Sequence, residues 1–346
     1  MTGEKDSNKK LCCFIIPYFG RLPKTMALFL KTCEYNLNYN WIIFTDDDIS
    51  IVPPSNVEII KCSFESIKKR IQTCFSFDIV LDTPKKLCDF KPAYGYIFKE
   101  ELSQYRFWGY CDVDQYFGCL ENFIPESLLE EYDKLFSLGH MTIYRNTPEI
   151  NNLFFMKSQN PVHREKSCVE IFASKENKSF DEWPRNSVSI NHITEQQKIK
   201  TYYCDKIGDI KPHMSKFLNT IFVPEKHQWI FDDIGKHVVV WDNGRIYAAW
   251  LNLDKTIGYK ELLYVHIQKR NLKILDYNNL SLFVIYPNVI RILRENVNDI
   301  DKLQIIRNCL RRQDYRSVAK IDETRYRLTE AFNQLLYYCK KCILRE

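Results

Sequence analysis

The chain has 346 residues, of which 45% are hydrophobic and 14% aromatic. That is ample for a large core and too apolar for a disordered chain. Its formal net charge is +5, and residues 301–346 hold 11 Lys and Arg against 6 Asp and Glu. The excess therefore sits in the last segment, the preceding residues are neutral, and no nucleic-acid partner is expected.

No run approaches the roughly 18 apolar residues of a membrane-spanning helix. The opening MTGEKDSNKKLCCFIIPYFG has charges and then a short apolar stretch, but Pro17 interrupts it and no small-residue cleavage site follows. It reads as a polar leader and a first strand. The 13 cysteines are odd in number and form no paired framework, as in a reducing cytoplasm, where cysteine serves as a small hydrophobe. Cys339 and Cys342 make a lone CxxC without the second pair a zinc site needs.

Short apolar runs alternate with amphipathic stretches in the first half, the pattern of an α/β domain. LCCFIIPYF (11–19) predicts a buried strand and MALFLKTCEYN (26–36) a helix. WIIFTDDD (41–48) predicts a strand ending in carboxylates, VEIIKCSF (57–64) a third strand, and a basic helix starts near Glu65. A helix is expected from Tyr94 to Leu102, then the strand RFWGYCDVD. HMTIYRN (140–146) reads as a strand, CVEIFASKE as helical, and FDEWPRN (180–186) as an acidic loop. HVVVWDNGRIYAAWL holds Asp242-Asn243-Gly244, a hairpin turn between apolar runs. LLYVHIQKR (262–270) and LSLFVIYP are late strands, and two or three helices are expected after Asn298.

The segment FWGYCDVDQYFGC puts Asp112 and Asp114 inside an apolar run. Like charges so close repel unless something positive lies between them. On an extended segment, residues two apart face the same side, and two such carboxylates suit a hard cation, Mg²⁺ or Mn²⁺. Tyr116 and Phe117 stand where a calcium loop needs Asp or Asn and then Gly, so that reading fails. Three readings remain: a phosphotransferase with an aspartate nucleophile, a nucleotide-sugar site whose metal bridges a diphosphate, or an exposed turn with two solvated acids.

Taken in order, IIPYFG, FTDDD, LCDFKPAYGYIF, FWGYCDVDQYFG, GHMTIYRN, FDEW and HIQKR span about residues 11–270. This ordered set resembles bacterial glycosyltransferases of the GT-A fold found in capsule and surface-polysaccharide gene clusters; the basic tail lies outside the resemblance. It implies a Rossmann-type nucleotide-sugar-binding α/β domain over residues 1–297 and a basic helical extension over 298–346. The implied reaction moves a hexose, with galactose the working expectation, from a UDP-sugar to a lipid-linked oligosaccharide with Mn²⁺ or Mg²⁺. The cysteine usage points to the cytoplasm, and two readings stay open for the basic tail after about Asp301: an ordinary solvated helical face, or docking to the anionic inner membrane surface through its cations and the apolar residues of LTEAFNQLLYYCKKCIL. A non-catalytic carbohydrate-binding or scaffold protein of a capsule complex is a further alternative.

Carried over residue by residue, Asp112 and Asp114 resemble the metal and ribose-diphosphate contacts, with Val113 between them at the donor, and His266 the late histidine of the metal site. Pro17, Tyr18, Phe19, Thr45, Asp46 and Asp47 resemble a nucleoside pocket, where an aromatic face stacks on uracil and a carboxylate accepts base or ribose hydrogens. Asp89 and Lys91 resemble residues holding the donor sugar and phosphates. Lys91 precedes Pro92, which disfavours helix and predicts an extended lysine. Lys269 and Arg270 would add charge-assisted bonds to the diphosphate. Asp181 and Glu182 are the candidates for the general base on the acceptor hydroxyl.

Overall fold

A computed structural model describes residues 9–48, 50–184, 186–210, 218–223, 228–232, 237–268, 272–275, 280–286, 289–293 and 299–311. The chain divides into two compact units, one of residues 1–115 and 119–204, the other of 116–118 and 205–346.

In the first unit the strands and helices are β1 (Lys10–Pro17), α1 (Met26–Glu34), β2 (Tyr39–Thr45), β3 (Val57–Lys61), α2 (Phe64–Thr73), α3 (Leu87–Phe90), α4 (Tyr94–Ile97) and β4 (Tyr105–Cys111). After β5 (Gln115–Phe117) come α5 (Glu126–Glu131), β6 (Lys134–Leu138), β7 (Met141–Arg145), α6 (Pro148–Asn151), α7 (Cys168–Phe172), α8 (Ile190–Gln196) and β8 (Thr201–Tyr202). The sheet runs β3-β2-β1-β4-β7-β6-β8. β3, β2, β1 and β4 are parallel, while β7 is antiparallel to both β4 and β6.

The parallel strands are apolar almost throughout because both faces are covered. Phe14 of β1 pairs in register with Trp41 of β2, and the two rings stack at 5.5 Å. Trp108 of β4 is fully buried, stacks on Tyr144 of β7 at 4.7 Å and donates its indole N–H to Asn151 Oδ1 at 2.7 Å. A side chain on Gly109 would fall 2.6 Å from the Thr142 carbonyl oxygen, so the close approach of β4 and β7 requires glycine there. The helix expected to Leu102 stops early, at Ile97. It packs so tightly on Trp108 that a Cβ at Gly95 would lie 2.4 Å from the indole ring. β6 carries a bulge between Leu135 and Leu138, with Phe136 at φ 69°, which bends the strand and re-aims the residues after it.

The second unit contributes β9 (Ile207–Asp209), β10 (Leu218–Val223), β11 (Gln228–Asp232), β12 (His237–Asp242), β13 (Arg245–Leu251), β14 (Ile257–Leu262), β15 (Tyr264–His266), β16 (Lys273–Leu275), β17 (Leu282–Tyr286), β18 (Val289–Ile292) and α9 (Asp299–Arg311). With β5, whose Tyr116 and Phe117 belong to this unit, these strands form a sheet ordered β11-β10-β9-β15-β5 and another ordered β14-β13-β12-β17-β18-β16. The expected hairpin joins β12 to β13, with Asn243 at φ 45° and Gly244 at φ 88°, as a two-residue primed turn demands. Ile306, Cys309 and Leu310 of α9 pack into a core with Val238, Val240, Leu282 and Val284. α9 is thus part of this unit's core, and the expected helices beyond Arg311 lie outside the described residues. No helix among the described residues is long and apolar enough to cross a membrane.

Candidate functional site

From β1 the chain steps outward through β2 to β3, then returns to place β4 on the other side of β1. The parallel order reverses between β1 and β4, and open α/β sheets bind ligands at the carboxyl ends of strands beside such a switch point. Three loops leave the sheet there: residues 18–22 after β1, 46–48 after β2 and 112–114 after β4.

The acids of TDDD shape the first of these loops. Asp46 Oδ1 accepts the Gly20 N–H at 2.7 Å and Asp47 Oδ2 the Leu22 N–H at 2.8 Å. The buried Thr45 hydroxyl accepts the Asp47 N–H at 3.2 Å, and Asp48 pairs with Lys61. Phe19 is buried in the core against Phe64 at 5.4 Å, so its ring is not open for stacking. Pro17 and Tyr18 are half-buried, and Tyr18 is the aromatic left at the switch point. Burial pushes its phenol pKa up, as does the negative field of Asp114, Asp112 and Asp47.

β4 ends at Cys111, so Asp112 and Asp114 lie in the following turn rather than on the extended segment expected from sequence. The turn is pinned by the Asp112 N–H donating to the His140 carbonyl at 3.0 Å. Asp112 is partly exposed, while Asp114 and Val113 are buried.

The positive partner of this acidic turn is Lys91. Its ammonium donates to Asp112 Oδ1 at 2.8 Å and to the Gly139 carbonyl at 2.6 Å, and lies 3.5 Å from Asp181 Oδ2. Burial works against its charge, but Asp112 and Asp181 outweigh burial and hold its pKa well above the ordinary lysine value. The extended conformation expected before Pro92 does not occur. Lys91 is helical at φ −48°, ψ −45°, within a run of short turns from Pro84 to Ile97. Pro92 falls in the first turn of its helical segment, where a missing N–H costs nothing.

Asp89 is fully buried. Its oxygens accept Lys86 Nζ at 2.7 Å, the Lys178 N–H at 2.9 Å and the Phe180 N–H at 3.1 Å. Lys86 also donates to the Ile171 carbonyl at 3.0 Å. With its oxygens so occupied, Asp89 shapes the loop carrying residues 178–182, where the sequence suggested a donor contact.

In that loop the two acids differ sharply. Glu182 is exposed, whereas Asp181 is 3% exposed and turned onto Lys91. Burial pushes Asp181 up to about 8; Lys91 opposes this, while Glu182 and Asp112 add to it. Asn191 holds the loop from behind, donating to the Glu182 carbonyl at 2.9 Å and the Ser137 carbonyl at 3.1 Å while Lys134 donates to its Oδ1. A Cβ at Gly139 would lie 2.5 Å from Glu182 Cγ and 2.9 Å from Asp181 Oδ2. The sequence reading passed over Gly139, although a conformationally costly glycine before a strand signals close approach. Lys134 and Asn191 carry no sequence signal, because only burial makes their pairing significant.

In the second unit, His266 is buried on β15 and its Nδ1 faces Asp209 Oδ1 of β9 at 3.2 Å. Gln268, at φ 48°, donates to both Asp209 oxygens at 2.6 and 2.8 Å. Asp209 and Gln268 were not singled out from sequence, and 57 positions separate Asp209 from His266. Lys269 and Arg270 lie outside the described residues.

The molecule is therefore a mixed α/β protein whose first unit gathers acids, one buried lysine and a tyrosine at the switch point of a largely parallel sheet. Residues 14–294 match the family of unknown function DUF6625, and the chain belongs to that family. No curated protein matches it.

Proposed function

We propose that the protein is a metal-dependent glycosyltransferase of the GT-A type. It moves a hexose, galactose by expectation, from a UDP-sugar to a lipid-linked oligosaccharide of a capsular or surface polysaccharide. The observation that carries this reading is the Asp112–Asp114 turn at the end of β4, beside the switch point and in the field felt by Tyr18. Two hard oxygen donors, one partly exposed and one buried, fit Mn²⁺ or Mg²⁺. The resemblance in motif order would add His266, whose Nδ1 faces Asp209 Oδ1 at 3.2 Å, as a ligand of the same ion. A divalent cation supplies charge to neutralise a diphosphate and its leaving group.

On this reading Tyr18 offers its face to the base, and Lys91 offsets Asp112 before the ion arrives. Glu182, as the exposed acid of its loop, takes the acceptor proton. Asp181 is the less suitable base, since burial raises its pKa and favours the protonated form, and its carboxyl is turned onto Lys91 and away from solvent.

Isothermal titration of UDP with Mn²⁺ tests the proposal. Wild type should bind only with metal present, and Asp114→Ala should abolish binding without lowering the melting temperature. His266→Ala should weaken Mn²⁺ uptake at least tenfold. Binding that persists in chelator or in Asp114→Ala would refute the metal site. Capture of beryllofluoride with Mg²⁺, together with indifference to UDP, would establish the phosphotransferase reading instead.

A further inference from the structure

The first turn of α8 grips the acid loop at two points. The Ile190 N–H donates to the Phe180 carbonyl at 2.9 Å, and Asn191 Nδ2 donates to the Glu182 carbonyl at 2.9 Å. The two bonds flank Asp181, so the loop keeps its shape only while that turn stays wound. What winds it is a capping box. Ser189 is fully buried; its Oγ accepts the His192 N–H at 3.4 Å, and its own N–H donates to His192 Nδ1 at 3.2 Å. α7 carries the same box with Glu170 in the closing position. A glutamate is an ionised acceptor throughout the neutral range, whereas a histidine changes charge there.

A backbone N–H can only donate, so His192 Nδ1 must offer a lone pair, and the neutral ring carries its hydrogen on Nε2. A second proton goes on Nδ1. Ser189 Oγ, 3.0 Å away, is able to accept the new N–H, but the buried Ser189 N–H is then left facing hydrogen. The added charge also sits at the start of α8, the positive end of the helix dipole. His163, 4% exposed, packs its ring on His192 at 4.5 Å, and Trp183 of the acid loop meets the same ring edge to face at 5.1 Å. Burial and the charge of Lys166 lower the His163 pKa, so this neighbour offers no negative charge. The charged groups on the surrounding elements are Lys157, Arg164, Glu165 and Lys166 on the His163 loop, Asp181 and Glu182 on the acid loop, Glu195 one turn along α8, and Lys134 behind Asn191. Of the acids, Glu165 is engaged by Lys178 at 2.8 Å, Asp181 lies 3.5 Å from Lys91, and the field of Glu195 acts on Lys134.

We propose that the first turn of α8 is a proton-operated latch on the acid loop: neutral His192 closes it, and protonated His192 lets that turn and residues 180–183 loosen. The latch follows from the geometry whatever the loop acts on; that it would govern Glu182 as acceptor base rests on the glycosyl-transfer reading. The loosened state binds the extra proton, so closure weakens as pH falls through the histidine range near about 6.5. Asp181 works in the opposite sense, since a buried acid raised to about 8 favours the closed loop as pH falls.

His192→Gln separates the two effects, because glutamine closes a capping box and does not titrate. Hydrogen exchange of the full-length protein, read by mass spectrometry at pH 7.0 and 5.5 and normalised to intrinsic rates, makes the comparison. Between these pH values, protection of residues 180–193 should fall about tenfold more in wild type than in His192→Gln, while β4 behaves alike in both. Nuclear magnetic resonance of wild type reads the same coupling without a variant. The Ser189 and Ile190 amide protons should move upfield together, with the midpoint of the His192 ring, as their acceptors are lost. Equal pH dependence of protection in wild type and His192→Gln would overturn the proposal. So would an Ile190 amide that keeps its shift while His192 titrates.

Discussion

Asp181→Asn isolates the most unusual ionisation in the site. Asp181 has a carboxyl displaced from 3.8 to about 8, chiefly by burial. An acid whose folded pKa lies above its unfolded value keeps its proton in the native state while the unfolded chain has already lost it. Folding stability therefore falls as pH rises between the two values and levels off above the folded pKa. The limiting slope is about 1.4 kcal/mol per pH unit. Between pH 5 and pH 7 wild type should lose stability through this residue, by no more than a few kcal/mol. Asparagine has the shape of the protonated acid and cannot ionise, so the variant should lack this term, and its stability relative to wild type should rise across the same interval. Urea unfolding followed by tryptophan fluorescence at pH 5, 6 and 7 measures the difference directly. A difference constant with pH would refute the reasoning. It would mean that Asp181 is ionised in the folded state and that Lys91, 3.5 Å away, forms a full ion pair with it.

Asp89→Ala should cost about 3–5 kcal/mol, since it leaves the buried Lys86 ammonium and two loop N–H groups without their carboxylate; denaturation at neutral pH measures the loss. Gly109→Ala should destabilise by about 3 kcal/mol, because the new methyl meets a backbone oxygen on β7 and the Phe14 ring at 3.0 Å, and neither can withdraw cheaply. A melting temperature unchanged from wild type would show that β4 and β7 can separate. Glu182→Gln should abolish sugar transfer while leaving Mn²⁺-dependent UDP binding intact, whereas Asp181→Asn should keep measurable transfer. Full transfer by Glu182→Gln would remove it from the acceptor role.

By itself the sequence determined the long apolar strands of the first unit's sheet and the β12–β13 hairpin, while short strands such as β5, β6, β8 and β9 went unread. β1, β2 and β4 are continuous apolar runs because parallel strands are covered on both faces, and such runs remain legible without knowledge of their neighbours. The Asn243-Gly244 turn was equally plain, since only residues tolerant of positive φ close a two-residue hairpin. The acids at the strand ends stood out against apolar surroundings, so Asp112 and Asp114 were found without a structure.

What only tertiary structure decided was which charges face each other. Lys91 and Asp112 are 21 positions apart and Lys91 and Asp181 are 90 apart, so no local periodicity predicts that one ammonium serves both. The same holds for Asp209 behind His266, and for Asn191 behind Glu182. Lys91 departed from its expected extended conformation because its contacts with Asp112 and Gly139 outweigh the modest preference that a following proline imposes. Burial separated Asp181 from Glu182, neighbours in sequence with almost the same chemistry. One was turned inward to a lysine and the other left at the surface, because desolvation depends on what packs over a residue and not on what precedes it in the chain.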